Sequence, residues 1–246
     1  MSKDRRVALL GGITYLITFA ASIPALPLLE PVTDHADYVL GAGQDTQVVL
    51  GGVMELVTAF ACVATALALY PVTRRVSRTA ALGFVSSRLV EAGLILTGVV
   101  SILSVVTLRQ DLGGSTDAPA GLTTVAQALV DVRDWTFLFG PGIMSAINAL
   151  FLGTVLYRAG LVPRLLPVLG FIGVPLMVAK CMVVAFGGMD DLSAVSLLLT
   201  LPIAAWEFGL GLWLTFKGFR PSPVLSRDTA PARSRVSGPG VTPRTK

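Results

Sequence analysis

Six stretches of the chain run almost without interruption in apolar residues: positions 7–29, 47–70, 80–108, 135–157, 165–186 and 193–216. A helix needs about 20 such residues to cross the ~30 Å hydrocarbon layer at 1.5 Å per residue. The pattern predicts an all-α fold, a polytopic membrane bundle of six transmembrane helices occupying residues 1–220 as one domain. Short polar segments separate the runs. One of them, Leu122 to Asp131, reads as an amphipathic helix at the membrane surface, with Leu122, Val125, Ala126 and Leu129 on one face. The motif that follows, Arg133, Asp134 and Trp135, reads as a boundary at headgroup level, where an aromatic ring suits the interface. Residues 221–246 are proline-rich and basic, with too little apolar surface to offset the entropy of ordering, and read as a disordered tail.

Composition supports the same class. The chain has 246 residues, 53% of them hydrophobic and 14% charged, against about 25% charged in soluble domains. Its mean hydropathy is +0.75. Arginine outnumbers lysine, and Ala, Gly and Val are abundant, as in proteins from GC-rich bacterial genomes. Cys62 and Cys181 both fall inside apolar runs, so no disulfide framework is indicated. Most of the 19 Lys and Arg residues sit in residues 1–6, the turns 71–79 and 158–164, and the tail, whereas the other loops carry mainly acids. The positive-inside rule then puts both termini in the cytoplasm, with a multi-pass protein in the plasma membrane. The first run is taken as an uncleaved helix, not a signal peptide, because it is long and further spans follow. The expected partner is the lipid bilayer, with anionic lipid at the basic cytoplasmic turns, and not nucleic acid.

The informative residues are the charges inside the spans: Glu55, Arg88, Glu91, Lys180 and Glu207. Each such charge at a helix centre costs about 2.5–3.5 kcal/mol on insertion scales, so these side chains must turn away from lipid. Arg88 and Glu91, three residues apart, are separated by only about 60° around the axis and share a face. Glu207 lies at comparable depth on the sixth span and is expected to join them. Glu55 and Lys180 both fall nearer the outer side and are expected to pair. Pro24 and Pro27 are expected to kink or end the first helix, Pro141, Pro175 and Pro202 to bend theirs, and Gly11-Gly12 and Gly209-Leu210-Gly211 to allow close packing.

Several chemistries are excluded by what is missing. His35 is the sole histidine and lies in a loop with no matching nucleophile motif for a Ser-His-Asp site, and neither a His-x-x-His-type zinc site nor a bis-histidine haem can be built. Gly41-Ala42-Gly43 lacks the remainder of a dinucleotide fingerprint. Asp190-Asp191 reads as a solvated acidic loop. No metal and no cofactor are expected.

Five segments together resemble a known family. They are Leu69-Tyr70-Pro71 with Arg74, Arg75 and Arg78; Arg88-Leu89-Val90-Glu91-Ala92; Asp134-Trp135-Thr136-Phe137 through Gly140-Pro141-Gly142; Leu156-Tyr157-Arg158 with Pro163-Arg164; and Glu207-Phe208-Gly209 through Trp213 and Lys217-Gly218. Over roughly residues 5 to 220 the chain resembles the six-span bacterial membrane proteins grouped as domain of unknown function 4386. The resemblance implies an integral membrane bundle and brings no activity with it. Many members carry histidine just before the Asp-Trp segment; this chain has Arg133 there and Asn148 further along, so no histidine role carries over. The best-supported function at this level is a small-ligand binding or transporter-like bundle with a buried charged seam, without enzymatic activity. The alternatives are an intramembrane enzyme acting on a lipid-like substrate, with Glu91 or Glu207 as base, and a purely structural membrane partner.

Reporter fusions placed after residues 76, 115, 161 and 246 should read inside, outside, inside and inside. An outside signal after residue 246 would break the even span count.

Overall fold

The apolar runs fold into helices that are longer than the runs themselves. In a computed structural model, which describes residues 1–35, 37–41, 43–112 and 121–226, the elements are α1 (Lys3–Thr33), α2 (Asp45–Val76), α3 (Arg78–Leu112), α4 (Leu122–Phe137), a π-helical stretch (Leu138–Met144), α5 (Ser145–Ala159), α6 (Leu165–Ala185), α7 (Ala194–Phe216) and a single turn, α8 (Pro223–Ser226). No strand occurs among the described residues. Six helices are long and apolar enough to cross a membrane, the fourth being the continuous rod Leu122–Ala159 made of α4, the π stretch and α5. The protein is therefore a multi-pass membrane bundle in contact with lipid. Residues 227–246, most of the expected tail, lie outside the described residues, as do 113–120 of the loop after α3.

The spans close into a ring. Each packs on the next, α1 on α2, α2 on α3, α3 on the α4–α5 rod, the rod on α6, α6 on α7, and α7 returns to α1. Small residues permit the closing contacts. A Cβ on Gly12 would lie 2.5 Å from the Thr215 amide nitrogen and 2.8 Å from the Gly211 carbonyl oxygen. One on Gly173 of α6 would lie 2.8 Å from the backbone nitrogen of Ile203. Backbones can approach this closely only where side chains are missing.

The start of α1 and the end of α7 lie on the same side of the bundle. Arg5 donates from Nη1 to the Leu214 carbonyl (2.8 Å) and from Nη2 to the Thr215 carbonyl (2.7 Å), carbonyls that the end of α7 leaves without helical donors. Asp4 pairs with Arg75 at 3.2 Å, and the Arg220 amide donates to the Leu161 carbonyl at 2.8 Å. The basic segments at 1–6, 71–79, 158–164 and 217–220 thus share one end.

A large apolar core joins every span, from Ala8, Leu69, Leu152 and Leu210 towards the basic end to Cys181 near the far end of α6. At the end opposite the basic one a second core draws on α1 to α4 and the loop after α1, with Leu29, Tyr38, Val48, Ile102 and Val130, and takes nothing from α6 or α7. Beside it Asp45 accepts from the Tyr38 hydroxyl at 2.7 Å and pairs with Arg109 at 2.9 Å. Burial, together with that hydrogen bond, pushes the Tyr38 hydroxyl up to about 12.

Two expectations are corrected. Pro24 and Pro27 do not end the first helix: α1 contains both, with Pro31, and runs unbroken to Thr33. Pro31 has no N–H for the Pro27 carbonyl, and the Gln47 side chain of α2 supplies one instead at 3.1 Å, as neighbouring helices do for prolines in membranes. Secondly, 122–131 is not a surface helix. Leu122, Ala126 and Val130 are buried against α1–α3 while Val125 is exposed, and α4 continues into the fourth span. Pro141 lies inside that span. The chain widens there into the π stretch, the geometry that accommodates a ring where an α-helix would need an N–H.

Gly12→Val should destabilise the purified bundle by about 1–3 kcal/mol, the usual cost of overpacking, read as a fall in detergent melting temperature. An unchanged melting temperature would mean that α1 and α7 do not meet here.

Candidate functional site: a central cavity walled by buried ion pairs

Arg88, ten residues into α3, is the most deeply buried charge among the described residues, 1% exposed. Its guanidinium is saturated on one edge by carboxylates. Nη1 donates to Glu91 Oε2 at 2.9 Å, one turn along the same helix, and Nη2 to Glu207 Oε1 of α7 at 2.9 Å. Nη1 also reaches the Cys62 sulfur of α2 at 3.4 Å. The cation lies over the Tyr15 ring of α1, 4.7 Å from its centroid, which adds a cation–π contribution in a site shielded from water. Glu91 is held from a further side. Asn148 of α5 donates to Glu91 Oε2 at 2.6 Å and accepts from the Ser87 hydroxyl at 2.5 Å. One arginine thereby ties α3 to α1, α2 and α7 directly, and to α5 through Glu91.

A second pair lies further from the basic end. Arg133 of α4 donates to Glu55 Oε1 of α2 at 3.0 Å, with both side chains buried, and the guanidinium sits 4.4 Å from the centroid of Phe137. Glu55 and Cys62 are seven residues apart on α2, about 10 Å of rise, which is the approximate spacing of the two clusters. Gly98 leaves room for the approach, since a Cβ there would lie 2.9 Å from the Thr136 hydroxyl and 3.5 Å from Arg133 Cγ.

The pairing expected between Glu55 and Lys180 is therefore wrong. Lys180 instead pairs with Asp191, in the loop between α6 and α7, and Asp191 is correspondingly not a purely solvated residue. The reading of Arg133 as an interfacial boundary residue is also overturned, because it is buried. Its neighbours diverge from it. Asp134 keeps a side chain 56% exposed, and Trp135 stacks on Phe139 at the bundle's outer surface. The signal for Arg133 was present in the register: residues 122, 126, 130 and 133 follow helical spacing on one face, which α4 buries. Asn148, noted earlier only as a substitution, proves to be a direct partner of Glu91.

Both clusters border one central cavity of about 210 Å³ lined by residues from all six spans. That is more than ten times the ~10–15 Å³ that holds one water by the same measure. Thr18, Thr58, Thr136, Ser145 and Thr200 add hydroxyls to a wall otherwise formed by Phe19, Ile95, Phe137, Met177 and Ile203. The wall shares Met177 and Ile203 with the larger apolar core and also includes Ile23 of α1, 61% exposed.

With this geometry in place, a family model described as "Domain of unknown function (DUF4386)" matches residues 10–218. The chain belongs to the DUF4386 family. Nothing among the curated proteins or the solved structures compared matches it. The match spans every cavity-lining residue of this DUF4386 bundle, from Thr18 to Glu207.

Removing Arg88 leaves two buried carboxylates facing each other, and breaking a buried pair typically costs about 3–5 kcal/mol. Arg88→Met should therefore be strongly destabilising, and Glu207→Leu added to it should recover part of the loss. Thermal unfolding of the two single variants and the double variant forms the cycle. Additive effects, with coupling under about 0.5 kcal/mol, would show that the two residues are not energetic partners.

Proposed function

We propose that this DUF4386 bundle binds a small amphiphilic molecule in its central cavity, as a transporter-like or sensory membrane protein. The observation that carries the reading is that both buried ion pairs, contributed by α2, α3, α4 and α7, border the same open volume. Charges whose only task is to lock helices together are best sealed by side chains, because any solvent or ligand volume beside them weakens the lock. Intramembrane charges facing a cavity are the usual mark of a ligand or ion site. The wall combines these charges with hydroxyls and with aromatic and aliphatic side chains, which suits an amphiphilic guest.

The Lys/Arg asymmetry, now gathered at one end of the bundle, supports a cytoplasmic location for that end and for both termini, in the plasma membrane of a bacterium. Anionic headgroups would then meet the turns at 71–79 and 158–164. A lipid-modifying reaction has less support. It needs Arg88 to grip phosphate or carboxylate, yet both terminal nitrogens of Arg88 are already engaged by Glu91, Glu207 and Cys62.

Filling the cavity tests the binding reading. Ala204 lines it on α7, three residues from Glu207, and Ala204→Trp should leave the melting temperature equal or higher. Native mass spectrometry of wild type released from membranes should show a small-molecule adduct that Ala204→Trp lacks. Identical adduct-free spectra would reduce the ion pairs to a packing clamp.

A further inference from the structure

The walls of the cavity do not balance in charge. Two guanidiniums, Arg88 and Arg133, face three carboxylates, Glu55, Glu91 and Glu207. Arg133 is matched by Glu55 and, on its outer side, by Asp134 at 3.5 Å, whereas the single guanidinium of Arg88 faces both Glu91 and Glu207, so the surplus within the cavity includes the Arg88 cluster. Within it the two carboxylates are unequal. Glu91 Oε2 accepts from both Arg88 and Asn148, and its side chain is 6% exposed. Glu207 accepts from Arg88 alone, through Oε1, and its side chain is 13% exposed. Among the described residues no donor reaches the second Glu207 oxygen. The remaining surroundings offer nothing to neutralise it. α1 presents Tyr15, whose hydroxyl has no partner, and α2 presents the Cys62 thiol. On α6 the titratable side chains are Lys180, held by Asp191, and Cys181, whose thiol donates to the Leu138 carbonyl. The charged residues of α1 lie at its ends, and those of α5 reduce to Arg158 at the basic end. A net negative charge left uncompensated at this depth is costly. It calls for a positive guest, and when no guest is bound, for a proton.

We propose that the cavity takes a small organic ammonium ion, with Glu207 as its counter-ion, and that Glu207 holds a proton when the site is empty. This rests on the cavity-binding reading and adds the charge of the ligand to it. The exchange is balanced: the ammonium enters as its charge is matched by the Glu207 carboxylate, and one proton leaves for solvent. The apolar wall of Phe19, Ile95, Phe137 and Met177 suits the hydrocarbon part of such an ion. The Arg88 bond to Glu207 Oε1 is compatible with either state, since a protonated carboxyl keeps an acceptor oxygen for it. A proton and an organic cation that compete for one intramembrane carboxylate are the minimum needed for coupled exchange across the membrane.

The probe is benzyltrimethylammonium, whose charge does not change with pH, compared with its neutral isostere neopentylbenzene and with benzoate. Binding to the full chain in lipid nanodiscs is measured by calorimetry at several pH values, and proton release by an indicator dye in weakly buffered solution. The expected result is cation-selective binding that releases up to one proton. Apparent affinity should rise by up to tenfold per pH unit while Glu207 is protonated. Glu207→Gln, which keeps a carbonyl for Arg88, should bind at least tenfold more weakly and lose the pH dependence. Wild-type binding of the cation without proton release or pH dependence would overturn the proposal whatever the variant does, as would preference for benzoate or equal binding of the neutral isostere. Those three outcomes leave the cavity-binding reading standing. Failure of all three probes, in a wild type that also carries no small-molecule adduct, overturns both.

Discussion

Arg88 organises the bundle because its charge has nowhere else to go. A buried guanidinium needs acceptors as well as a counter-charge, and Glu91 one turn away engages only Nη1. Nη2 is met by Glu207 on α7, the last span, which closes the ring on α1. Holding these groups together fixes how far α3 stands from α7, and with it the width of the space between them. The close approach of α7 to α1 at Gly12 and Gly211 then sets where the ring shuts. The small residues draw the helices together at the basic end, and the bulky charged groups keep them apart above it. A cavity is the geometric consequence of that combination.

The two apolar cores engage the spans unequally. The larger enlists every span and contains Trp206, Leu210 and Leu214 of α7. The other belongs to α1–α4. α6 is held along its length, because Cys181 near its far end donates to the Leu138 carbonyl of the rod while Lys180 pairs with Asp191 of the following loop. The pair of Arg88 with Glu207 joins α3 to α7 beside the cavity, so a change in that pair alters the space it borders. Glu207 contributes directly to that joint, which gives its protonation state structural leverage.

How much of this was legible beforehand varies with the physics involved. Membrane class, six spans and helical content follow from length and hydropathy, because a chain in lipid must satisfy its backbone internally and helices are the local way to do so. The partnership of Arg88 with Glu91 follows from helical spacing alone, and that with Glu207 from matching depths at a fixed rise per residue. The Glu55–Lys180 pairing failed for a specific reason. Depth says which charges share a layer but not which side of the ring each helix occupies, and α2 has α3 between it and the α4–α5 rod while α6 stands beyond. Arg133 reached Glu55 only because α4 tilts inward, where its charge had suggested a headgroup position.

The amino-acid sequence by itself determined that the chain spans a membrane with helices, that charges within those spans must face inward, and that Arg88 and Glu91 share a face. These are consequences of local geometry and of the cost of charge in hydrocarbon, which neighbours do not alter. The tertiary structure decided which distant carboxylate meets which guanidinium, that α4 continues into the fourth span instead of lying on the surface, and that both ion pairs border one cavity. Those outcomes depend on the order of helices around the ring and on their tilts, set jointly by glycine contacts and apolar cores from different spans, so no single stretch of sequence encodes them.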